Sequence, residues 1–155
     1  MEFNDRGKRL ARLQTVWIDN PVYLITCCVS GRRRILHSES VHAILQDEWN
    51  LAPKRHGWYV GRYVIMPDHV HFFTSQNSEA KSLSKFLQSW KQWTSKRISK
   101  ERGCGRIWQR QFFDHLLRSE ESCSEKWEYV KMNPVRAGLV RDPEDWKYAG
   151  FVHYG

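Results

Sequence analysis

Apolar positions change period along this chain, and the changes mark out its elements. Val22 to Val29 (VYLITCCV) is a continuous apolar, β-branched run, the pattern of a buried strand. Residues 39–55 then switch to helical spacing, with Val41, Ile44, Leu45, Trp49 and Ala52 on one face and Gly57 as the stop. Trp58 to Met66 (WYVGRYVIM) predicts a second strand, Pro67 and Asp68 a tight turn, and His69 to Thr74 (HVHFFT) a third strand closing a hairpin. Leu83, Phe86, Leu87, Trp90 and Trp93 form the apolar stripe of a second helix. Residues 106–117 carry a weaker strand pattern. Residues 119–132 predict a third helix, with Pro134 near its end and Gly138 as a candidate cap. The order β-α-β-β-α-β plus a helix predicts an α+β fold. It is a ferredoxin-like split βαβ antiparallel sheet with both crossover helices on one face. The other face is left for a ligand or for the third helix.

Length and charge narrow the picture. The 155 residues suit one domain, expected over 21–155 behind a polar, basic arm at 1–20. Lysine and arginine number 25 against 17 acidic residues, for a formal charge of +8 spread along the chain. Such a balance favours polyanionic partners, nucleic acid first. Eight Trp, seven Phe and six Tyr are a heavy aromatic load; some belong to the core, and some could stack on unpaired bases. No apolar run approaches the roughly 18 residues that span a bilayer, and residues 1–14 lack a signal-peptide core. A cytoplasmic, nucleoid-associated protein with no membrane partner is expected. The four cysteines form no CxxC pair, which argues against a zinc ribbon or a disulfide framework.

The chemistry concentrates in Met66-Pro67-Asp68-His69-Val70-His71. Strand side chains alternate, so His69 and His71 leave one face with Phe73, while Val70 and Phe72 point toward the helices. Two adjacent imidazoles are a ready bidentate metal site, and equally can be two half-exposed histidines. On the third helix Tyr129 and Asn133 are four residues apart and share a face. The asparagine carbonyl suits a hard cation such as Mg²⁺ or Mn²⁺, although Pro134 disfavours helical geometry at Asn133, which could instead be a simple C-terminal cap. The tyrosine phenol can attack phosphorus. Arg32, Arg33 and Arg34 after the first strand, Lys85 and Lys91 on the second helix, Arg110 and Arg136 are candidate phosphate contacts. Trp108 fits the core as well as a site.

MPDHVHFF, LSKFLQSWKQW, IWQRQFFDHLL and EYVKMNPVRAGLV follow one another in this order. Together they resemble the single-tyrosine HUH transposases, and most closely the REP-associated tyrosine transposases. The resemblance runs from about Val22 to Tyr148. It implies a ferredoxin-like fold, a divalent metal held by His69 and His71 with Asn133 one helical turn after Tyr129, and Tyr129 as nucleophile. It also implies nicking and strand transfer on hairpin-forming single-stranded DNA through a 5′-phosphotyrosine, by a monomer or a homodimer. The chain departs from the pattern where Leu24 follows Tyr23, a place many relatives give to histidine. Two other readings remain open. One is a hairpin DNA- or RNA-binding module that does not cleave, and the other is a metal hydrolase using water, which would not need Tyr129.

Overall fold

A computed structural model describes residues 21–155; the basic arm expected at 1–20 lies outside the described residues. Five strands form one antiparallel sheet in the order β4-β1-β3-β2-β5: β1 Val22–Cys28, β2 Trp58–Ile65, β3 His69–Gln76, β4 Phe113–Leu117 and β5 Ala149–Phe151. The first four strands give the 4-1-3-2 order of a split βαβ sheet, as expected. The helices are α1 Glu39–Asn50, α2 Ala52–His56, α3 Leu83–Arg102, α4 Glu120–Val130 and α5 Asn133–Arg136. No helix among the described residues is long and apolar enough to cross a membrane.

The main core lies between the sheet and the two long helices α1 and α3. Trp49 of α1 stacks on Trp90 of α3 with centroids 5.7 Å apart, and Phe72 of β3 packs at 5.2 and 5.5 Å from the two rings. Val70 and Phe72 therefore face the helices, as strand alternation requires. Serines cap three helix starts: Ser38, Ser82 and Ser119 accept from the backbone N–H groups of Val41, Lys85 and Ser122.

A smaller second core covers the opposite face. Leu24 of β1, Val64 and Met66 around β2, Phe73 of β3 and Leu117 of β4 meet Val130 and Trp127 of α4 there. The third helix thus occupies the face that carries His69 and His71.

Several expectations change. The helix at 39–55 breaks at Leu51, because Pro53 cannot donate into the α1 ladder and starts α2 instead. Gly57 ends α2 with φ +77°, and a Cβ there would lie 2.6 Å from the Ala80 backbone. Of the weak strand at 106–117 only Phe113–Leu117 pairs; upstream a single bridge joins Trp108 to Val29. The edge strand β5 was not expected. Gly138, φ +74°, closes a Schellman motif after α5, with Gly138 N–H bonded to Val135 O and Leu139 N–H to Pro134 O.

Candidate active site

The histidine pair is held by a chain of oxygen partners. The Pro67–Asp68 turn is pinned where Val29 N–H donates to Asp68 O and Leu36 N–H to Pro67 O, at 2.8 and 3.0 Å. His69 Nδ1 lies 2.7 Å from Asp68 Oδ1, and Asp68 Oδ2 accepts from Arg32 Nε at 2.9 Å. His71 sits between Thr26 of β1 and Val64 of β2, with Nδ1 2.8 Å from Thr26 Oγ1. The two rings are 4.8 Å apart and nearly perpendicular. The Asp68 carboxylate can only accept, so His69 Nδ1 donates to it and Nε2 points away; the Thr26 hydroxyl can accept from His71 Nδ1, and in that tautomer His71 Nε2 carries the lone pair that a metal needs.

Electrostatics agree with this arrangement. Burial, aided by the charges of His69 and Arg136, pulls His71 down to about 3, so it stays neutral at ordinary pH. Burial alone would raise the Asp68 carboxyl, but hydrogen bonds from His69 and Arg32 outweigh it and hold the group low. Asp68 is therefore a carboxylate that orients the His69 ring.

Tyr129 sits at the exposed end of α4 with 65% of its surface open. The backbone stays right-handed helical through Lys131 and Met132, and Asn133 opens α5 rather than capping α4. The Arg136 guanidinium lies 4.0 Å from the Tyr129 ring centroid, donates to Tyr129 O at 2.8 Å and also donates to Asn133 Oδ1. Its charge is felt at His71. Arg136 thus ties α5 to the end of α4. Trp127 makes a second link, packed edge-on against Phe73, two residues along β3 from His71.

The other expected contacts divide. Arg34 and Lys85 are exposed, as phosphate contacts should be. Arg110 is exposed too, on the rim of a groove beside α3. Arg32 is half exposed but is tied to Asp68 and lies near Cys28 Sγ, so its first role is to steady the His69 partner. Arg33 and Lys91, also expected as phosphate contacts, have their guanidinium and ammonium engaged by backbone carbonyls. Arg33 donates to Ser30 O, Cys104 O and Arg106 O, and Lys91 Nζ to the carbonyls of Gln109, Arg110 and Gln111. Trp108 is core, with its indole N–H on Thr94 Oγ1 at 2.8 Å. Asn133 is also changed, since its carbonyl oxygen accepts from Arg136 instead of standing open beside the histidines. Thr26 was overlooked, because only the register of β1 on β3 reveals it. Asp68 had been read as a turn residue alone, although its place next to His69 was a usable signal.

With this geometry in view, the comparisons decide the family. A family model described as "Transposase IS200 like" matches residues 18–132. The chain belongs to that family. The matched span contains His69, His71 and Tyr129 and stops one residue short of Asn133. A putative REP-associated tyrosine transposase of Haemophilus influenzae is 29% identical over 98 residues, covering 56% of this chain and 55% of that protein. A REP-associated tyrosine transposase of Escherichia coli K12 is 27% identical over 95 residues, covering 59% and 53%. The chain spans about half the length of these curated relatives. A solved REP-associated tyrosine transposase bound to a REP hairpin superposes with a TM-score of 0.67 at 19% identity, over 83% of this chain and 75% of that one. A putative transposase from Deinococcus radiodurans gives 0.53 at 17% identity, over 71% and 88%. These two structures establish the shared fold.

Proposed function

We propose that this chain nicks and rejoins single-stranded DNA next to a hairpin, with Tyr129 as the nucleophile. The observation that carries this is the orientation of the histidine pair: Asp68 and Thr26 hold both Nδ1 atoms, so both Nε2 atoms are available on the sheet face covered by α4, the helix whose sequence includes Tyr129. Two imidazoles with ring centroids 4.8 Å apart fit a divalent cation, Mg²⁺ or Mn²⁺. No cluster of three His, Cys, Asp or Glu exists among the described residues, so a third protein donor would be Asn133 once Arg136 releases its carbonyl. Such a cation would draw charge off the scissile phosphate.

The chain's own groups then have definite tasks. The phenolate oxygen of Tyr129 attacks phosphorus, and the bond from phosphorus to the 3′ oxygen breaks. A 5′-phosphotyrosyl link forms, and a 3′-hydroxyl leaves after taking up a proton. Attack by another 3′-hydroxyl reverses the step and conserves the phosphodiester energy. Arg136, stacked on the Tyr129 ring, can meet a phosphate oxygen. The partner would be hairpin DNA of the REP type, as in the solved relative bound to a REP hairpin.

A denaturing gel tests the proposal. The protein is mixed with hairpin oligonucleotides bearing a single-stranded flank and with Mg²⁺ or Mn²⁺. A protein–DNA adduct that survives denaturation and is lost in Tyr129→Phe is expected. Cleavage that persists in Tyr129→Phe would assign the attack to water, and binding with no cleavage would make the chain a binding module.

A further inference from the structure

Arg33 and Lys91, turned inward, give shape to a loop that has almost no regular structure of its own. Between Gly103 and Phe112 the chain has only the bridge at Trp108. Yet its carbonyls are held one after another. Lys91 Nζ takes those of Gln109, Arg110 and Gln111 at 2.8, 3.2 and 2.8 Å, and Arg33 takes those of Cys104 and Arg106. The Ser99 hydroxyl takes that of Gly105. Trp108, locked to Thr94, anchors the middle in the core. The loop is a fixed wall.

Facing it is a stripe of α3: Ser84, Gln88, Gln92 and Ser95. Their spacing of four, four and three residues puts them on one helical face, away from the buried Phe86, Leu87, Trp90 and Ile98. Wall and stripe enclose an open groove of about 830 Å³. Arg106 and Arg110 stand in its lining, the Phe112 ring is beside them, and no carboxylate lines it. The wall of the groove is tied to the strand beside the candidate active site. Gln109 N–H donates to Cys28 O at 2.9 Å, and Cys28 pairs with His69.

The lining selects the ligand class. It sets arginines for phosphates, amides for base edges and the Phe112 ring for stacking side by side, with no carboxylate to repel a polyanion. Glutamine offers a donor and an acceptor together, the complement of an unpaired base edge, and arginine suits the phosphates that follow it. We propose that this groove binds the bases of the single-stranded DNA segment flanking the nick, with Gln88 and Gln92 reading base edges and Arg106 and Arg110 holding phosphates. The proposal rests on the nicking reading above and adds where the flank is recognised.

The test is selection from a library of DNA hairpins randomised in stem and flank, using the full chain. The wild type is expected to enrich a preferred flank. The exposed pair Gln88→Ala and Gln92→Ala, which alanine suits as a helix former, is expected to lose that preference by roughly 10- to 100-fold while keeping stem affinity. Benzoylphenylalanine placed at position 92 is expected to crosslink to the flank. The groove assignment is overturned if the double variant enriches the same flank as the wild type, if the crosslink falls on the stem or does not form, or if the wild type enriches stems only. In each of those results the Tyr129 adduct assay still decides the nicking reading separately. A wild type that retains no hairpin at all overturns both.

Discussion

Acid should destabilise this fold through His71, and the size of the effect follows from its environment. Burial first, then the positive charges of His69 and Arg136, hold the folded-state value at about 3, against 6.5 for a free imidazole. Below pH 6.5 the unfolded chain binds a proton that the folded chain refuses. The stabilisation from this difference is complete above 6.5 and is lost as pH falls toward 3. Between pH 7 and pH 5 the two values translate into about 2 kcal/mol from this residue. With a urea dependence of roughly 2 kcal/mol per M, the unfolding midpoint should fall by about 1 M. The comparison is His71→Gln, which keeps an amide near Thr26 but cannot protonate, measured at both pH values with a chelator present. His42 and His56 are also lowered by burial, but they are common to both proteins and cancel. An equal midpoint shift in the wild type and in His71→Gln would refute a neutral, buried His71. It would also remove the electrostatic case for its availability as a ligand.

Three further outcomes are expected. Trp127→Ala should slow nicking by roughly 10- to 100-fold with hairpin affinity unchanged, because this ring seats the Tyr129 helix on Phe73, and Trp127→Phe should recover most of the rate. Arg33→Ala should lower thermal stability yet leave the slope of log affinity against log salt unchanged, whereas Arg34→Ala and Lys85→Ala should each reduce that slope by about 1. Gly61→Ala should lose about 1–3 kcal/mol and several degrees of melting temperature, since a Cβ there would meet the Tyr154 ring at 2.4 Å.

What the sequence could reveal depended on how local each determinant is. The strands β1, β2 and β3 and the face shared by His69, His71 and Phe73 follow from periodicity and alternation, which neighbours in sequence decide. Strand β5 is three residues, Ala149–Phe151, whose pairing comes wholly from the free edge of β2, so nothing in its own composition announces it. The loop before β4 resembles a strand because its residues are apolar and aromatic in places. Its conformation is set by Arg33 and Lys91, some 70 and 20 residues away in sequence. The same two residues show why a basic side chain is an ambiguous signal. Charge predicts an affinity for oxygen, and only the fold decides whether that oxygen belongs to a phosphate or to a backbone carbonyl. Asn133 repeats the lesson inside the site. Its four-residue spacing from Tyr129 is visible in the sequence, but the hydrogen bond that Arg136 donates to its oxygen is not. Arg136 stacks on Tyr129 and donates to Asn133, so on the nicking reading proposed above an incoming phosphate that drew Arg136 away would free the Asn133 carbonyl.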